Sequence, residues 1–62
     1  MITVEYAYRN VLGTWIHSET RFSTITKAVK FIKYVIPKSD KMVYMGFTCD
    51  SPEETMEMEE LL

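Results

Sequence analysis

Cysteine is almost missing from this chain. Cys49 stands alone, so no disulfide within the chain can staple the fold. Histidine is as scarce, and one Cys with one His (His17) falls short of the ligand count of a structural zinc site. No metal or other cofactor is therefore expected. Two glycines leave no room for a glycine-rich phosphate loop, and no small-molecule substrate is inferred. No apolar run approaches the about 20 residues that a membrane-spanning helix needs, so no membrane association is expected. The stretch Met1-Ile2-Thr3-Val4-Glu5-Tyr6 has neither a basic segment nor a long apolar one, and is not expected to act as a signal peptide. A lone thiol suits a reducing compartment, which makes a cytoplasmic location the expectation.

With 62 residues the sequence is read as one small domain, residues 1–62. An apolar fraction of 47% against 26% charged residues is an ordinary globular balance and argues against disorder. A domain this small buries only about 60% of the surface its unfolded chain exposes. Its core is then expected to supply roughly 3–5 kcal/mol of net stability. Without disulfide or metal, contact with another surface is the remaining source of support.

Residues 2–9 alternate, with Ile2, Val4, Tyr6 and Tyr8 on one side and Thr3, Glu5, Ala7 and Arg9 on the other. A period of two rich in β-branched and aromatic residues predicts a half-buried strand. Asn10-Val11-Leu12-Gly13 fits a type I turn, with Asn first and Gly fourth. The alternation resumes to Phe22, with Ile16, Thr20 and Phe22 opposite Trp15, His17, Glu19 and Arg21, so residues 2–22 are predicted to form a β-hairpin. From Ile25 the period changes. Ile25, Ala28, Val29, Ile32, Val35 and Ile36 share one face of a helix predicted over residues 24–36, capped by Thr24 or Ser23 and stopped by Pro37. Residues 41–49 read as a third strand, with Val43, Met45, Phe47 and Cys49 on one side and Met42, Tyr44, Gly46 and Thr48 on the other. Ser51-Pro52-Glu53-Glu54 is a capping-box signal with proline in the first helical position, opening an acidic helix or tail over residues 51–61. The order is β-β-α-β-α, an α+β fold. A right-handed crossover gives a three-stranded antiparallel sheet in the order 2-1-3, with the long helix on one face and a short acidic C-terminal helix.

Candidate chemistry is sparse. His17 shares a strand face with Glu19, but Ser18 points to the other side, so no nucleophile is at hand for a general base. A His17–Cys49 pair would need a coincidence of the fold, and the chain is not expected to be an enzyme. Lys27, Lys30 and Lys33 form a one-sign stripe on the long helix, which suits an anionic ligand such as nucleic acid. Against that reading, arginine is absent from the stripe, no aromatic residue alternates with the lysines, and the net charge is −2. Asp50, Glu53, Glu54, Glu57, Glu59 and Glu60 crowd the C-terminal segment, which has no basic residue after Lys41. It reads as a phosphate mimic, a dock for a basic surface or a solvated tail.

Trp15, Ala7, Met42 and Tyr44 are predicted on the sheet face away from the long helix. Such an apolar face must be covered by the C-terminal helix or by another chain. A non-catalytic protein-binding module follows, with a protein partner or a second copy as ligand. Its expected contacts are Trp15, Met42, Tyr44, Met56, Glu53, Glu54 and Glu57. A nucleic-acid binder using Lys27, Lys30 and Lys33, or a structural subunit of a larger assembly, are the alternatives. In size, lone cysteine, strand–strand–helix–strand order and acidic end, the chain resembles in architecture the small bacteriophage-encoded proteins that bind and inhibit or modulate host enzymes. That resemblance implies a host enzyme as partner.

Overall fold

Alternation produces the sheet. In a computed structural model that describes residues 1–62, strand β1 spans Ile2–Arg9, β2 Trp15–Phe22 and β3 Met42–Cys49. They form an antiparallel sheet in the order β2-β1-β3. The hairpin turn closes as its sequence dictates. Gly13 donates its N–H to the Asn10 carbonyl at 3.0 Å, and Asn10 Oδ1 accepts from the N–H groups of Leu12 and Thr14, both at 3.0 Å. Gly13 sits at φ 81°, a conformation that costs any residue with a Cβ.

The β1–β2 register is regular from Ile2↔Phe22 to Arg9↔Trp15, so the whole odd-numbered set of β1 and β2 shares one face. Strand β3 is not regular. Ile2 faces Cys49 and Glu5 faces Gly46, but Tyr6 faces Tyr44 and Tyr8 faces Met42, so one residue, Met45, is extra. This β-bulge corrects the reading of the strand. Beyond it the parity flips, so Met42 and Tyr44 join Phe47 and Cys49 on the helix side, and Val43 moves to the opposite face. Gly46, at φ 141°, supplies the backbone freedom the irregularity requires.

Helix α1 spans Ile25–Lys30, and Thr24 caps it by accepting from the Lys27 N–H at 3.3 Å. The helix does not continue as an α-helix. Phe31–Val35 is a π-helical segment, in which the Ile36 N–H reaches back five residues to the Phe31 carbonyl at 3.0 Å. The wider turn changes which side chains face the sheet. Ala28, Ile32 and Ile36 are buried, whereas Val35, expected in the core, stays 47% exposed. Phe31 packs over the sheet with its ring 5.3 Å from Tyr6 and 5.2 Å from Phe22.

Helix α2 spans Pro52–Leu61. Ser51 Oγ accepts from the Glu54 N–H at 3.3 Å, and Glu53 and Glu54 lie in the first turn, where the helix dipole favours negative charge. The Glu54 carboxylate accepts from the Ser51 hydroxyl at 3.4 Å and from the Met1 ammonium at 3.2 Å. Asp50 also lies 3.3 Å from that ammonium. The Glu54 hydrogen bond foremost, then Asp50, holds the ammonium above its ordinary pKa of 8.0. Met58 is the buried residue of α2, and it joins Ile2, Val4, Ala28, Ile32 and Ile36 in the core. Both helices therefore lie on the same side of the sheet. Of the two covers expected for the open face, the C-terminal helix is excluded, and that face stays bare. No helix is long and apolar enough to cross a membrane.

Candidate protein-interaction surface

The core is gathered at one end of an elongated molecule measuring 39 × 19 × 15 Å. Only Ile2 and Val4 of the sheet are fully buried, and α2 is tied to the same end through Met1, Asp50 and Glu54. The opposite end, where the β1–β2 hairpin turns, carries large apolar side chains without cover. Val11 and Leu12 at the tip are 98% and 85% exposed. The turn leaves them no alternative. They are its two central residues, and the backbone bond from Gly13 to Asn10 closes it beneath them.

Just behind the tip, apolar groups occupy both faces. On the open face Trp15 is half exposed, and the Arg9 guanidinium lies 5.9 Å from its ring. Ala7 pairs with Val43, which the bulge has turned outward to 51% exposure. On the helix side the row Ile16–Tyr8–Met42 crosses all three strands, and both Tyr8 and Ile16 remain exposed. Tyr44 lies one row further in, and partial burial pushes its phenol above the ordinary value of 10.0.

Of the residues expected to bind a partner, Trp15, Met42 and Tyr44 come to this end of the sheet, but on two faces instead of one. Met42 is half-buried against the core. Met56, Glu53 and Glu57 lie on the exposed side of α2, away from Met58, and form a separate surface. Glu54 turns inward to Ser51 and Met1. Val11, Leu12, Tyr8, Ile16 and Val43 are the contact candidates that sequence reasoning missed. Two apolar residues at the centre of an Asn-first, Gly-last turn were the available signal for the tip. Glycine inside a strand was the signal for the bulge.

Charged groups are left largely unpaired. All ion pairs within 4.0 Å involve Met1 or His17, so Lys27, Lys30, Lys33 and every other Lys and Arg lack a carboxylate at that distance. His17 Nε2 stands 4.0 Å from Glu5 Oε1, not Glu19, and that is too long for a hydrogen bond. Glu5 and Glu19 face each other directly across β1 and β2. His17 is on the open face and Cys49 on the helix side opposite Ile2, so the two do not form a nucleophile–base pair. Comparison of the chain with protein-family models, curated proteins and solved structures finds no match among them.

Proposed function

We propose that this chain is a non-catalytic protein-binding module that docks through the hairpin end of its sheet. The observation that carries the reading is the exposure of Val11 (98%) and Leu12 (85%) beside half-exposed Trp15. Holding two branched apolar residues at a rigid turn places them where they can enter an apolar pocket at little conformational cost. Trp15, with Arg9 against its ring, is the kind of aromatic anchor that dominates interface energetics. The acidic face of α2, with Glu53, Met56 and Glu57, supplies a second contact for a basic partner surface. A host enzyme that the module inhibits or modulates is the partner class implied by the architectural resemblance.

The test is affinity capture with two baits, the wild-type chain and the Val11→Asp/Leu12→Asp variant. Both positions are solvent-exposed, so the variant keeps the wild-type circular dichroism. Proteins retained by the wild type and lost by the variant are the expected result. Equal recovery by the two baits would sink the hairpin-end reading.

One observation favours a second reading. Lys27, Lys30 and Lys33 are exposed with no carboxylate near them, as a nucleic-acid contact would require. That reading expects fluorescence anisotropy of a labelled oligonucleotide to rise at low salt and to fall steeply as salt is added. No rise at about 20 mM salt, well below the ionic strength that screens such contacts, ends it.

A further inference from the structure

We propose that β2 is a self-association edge, pairing antiparallel with β2 of a second copy about a two-fold axis at Ser18. The inference goes beyond the hairpin-end reading and does not depend on it. Strand β2 has β1 on one side only, so its outer edge is unpaired. The Asn10 N–H bonds to the Thr14 carbonyl at 3.0 Å, which sets the phase of the ladder. Alternation then directs the N–H and C=O of Ile16, Ser18, Thr20 and Phe22 toward β1. The same groups of Trp15, His17, Glu19 and Arg21 point outward and are free to bond.

The only device on β2 that could blunt this edge is charge, and its two charged residues, Glu19 and Arg21, are of opposite sign. The strand is eight residues long, with the sequence WIHSETRF, and holds no proline, glycine, lysine or bulge. Natural sheets normally protect such a strand. The other edge, β3, carries both the bulge and Gly46, which break up its hydrogen-bonding row.

The side chains select one register. Strands that keep both sheet faces aligned can cross at His17, Ser18 or Glu19. Crossing at Glu19 sets two carboxylates against each other and His17 against Arg21. Crossing at His17 sets two imidazoles together. Crossing at Ser18 sets His17 against Glu19 and Trp15 against Arg21, each twice by symmetry, and places small Ser18 on the axis. In all three registers the outward-pointing residues form the hydrogen-bonded pairs, so the side chains alone decide between them. Each Trp15 ring, already flanked by its own Arg9, gains Arg21 of the second copy. The product is a continuous six-stranded sheet with both helical layers on one side.

Light scattering on the full chain at about millimolar concentration tests association, at the weak end of specific affinities; twice the monomer mass is expected. Glu19→Lys alone and His17→Glu alone each set like or unmatched charges in register, and each lowers the association constant at least tenfold. The double variant His17→Glu/Glu19→Lys sets opposite signs in register and recovers the dimer. Under oxidation, Ser18→Cys in a Cys49→Ser background crosslinks to a covalent dimer, since position 18 meets its own mate. Thr20→Cys does not, because its mate lies about 14 Å away along the strands. A wild type that stays monomeric, a dimer indifferent to the charge variants, or equal crosslinking from positions 18 and 20 overturns the proposal. Association that survives Val11→Asp/Leu12→Asp while partner capture is lost separates this edge from the hairpin tip.

Discussion

Met58 is the side chain on which the placement of α2 depends, and truncating it should be felt throughout the molecule. Met58 is fully buried and is the buried residue of that helix. Met58→Ala removes Cγ, Sδ and Cε, which at about 0.8 kcal/mol per buried methylene-sized group is roughly 2 kcal/mol of transfer free energy. The cavity left behind raises the total to about 2–4 kcal/mol. A domain of this size holds roughly 3–5 kcal/mol in all, so the variant should stand near its unfolding midpoint. With a urea dependence of about 1 kcal/mol per molar, the midpoint falls by about 2–4 M. Two probes distinguish undocking from global loss. Ellipticity at 222 nm reports both helices, whereas the emission of Trp15, the single tryptophan, reports the opposite face and far end of the sheet. The expected order is that helical signal falls first, in buffer without urea, and Trp15 emission changes later. Met56→Ala is the control, since that side chain is 62% exposed and its loss should stay within about 0.5 kcal/mol. A Met58→Ala midpoint indistinguishable from that of Met56→Ala would refute the assignment of Met58 to the core.

Other substitutions probe the local devices. Gly46→Ala meets no atom within 4 Å, so its cost is purely conformational at φ 141°; a loss of about 1–3 kcal/mol is expected in urea titrations. Ser51→Ala removes the acceptor for the Glu54 N–H and should lower stability by about 1 kcal/mol, whereas Ser51→Asp should retain it. The Tyr44 phenol is raised above 10.0 by burial, so the folded state favours its neutral form. That contribution is complete below pH 10 and fades as the pH climbs through the folded-state value. Spectrophotometric titration at 295 nm should show a component above pH 10 that Tyr44→Phe abolishes.

Much of the fold was legible because local signals and tertiary packing agree. The hairpin follows from two alternating runs and an Asn-first, Gly-last turn. The cap at Ser51 and the proline beside it announce α2 several residues before its apolar positions appear. The sheet order follows from placing the third strand beside the first. The candidate site was less legible, for two physical reasons. Alternation assumes an unbroken strand, and the extra residue at Met45 sends Met42 and Tyr44 to the face opposite the expected one. A helical period assumes α geometry, and the π-helical turn after Lys30 releases Val35 from the core while keeping Ile36 in it. Both departures depend on backbone hydrogen bonds to distant or unusual partners, which residue spacing does not encode. The exposure of Val11 and Leu12 was implicit in the turn itself, since central turn residues have nothing to pack against.

A strand has two phases, and β3 uses both. Residues on the Cys49 side of the bulge keep step with the buried end of β1, while those on the Met42 side keep step with the hairpin. The one extra residue works as a phase boundary, which makes chain length at this point a chemical variable. Deleting Met45 would merge the phases into one regular ladder, with Met42 and Tyr44 still opposite Tyr8 and Tyr6 on the helix side and Val43 still on the open face. Regular pairing with Met45 retained would instead slip this half of β3 by one residue, carrying Met42 and Tyr44 to the open face and Val43 to the helix side.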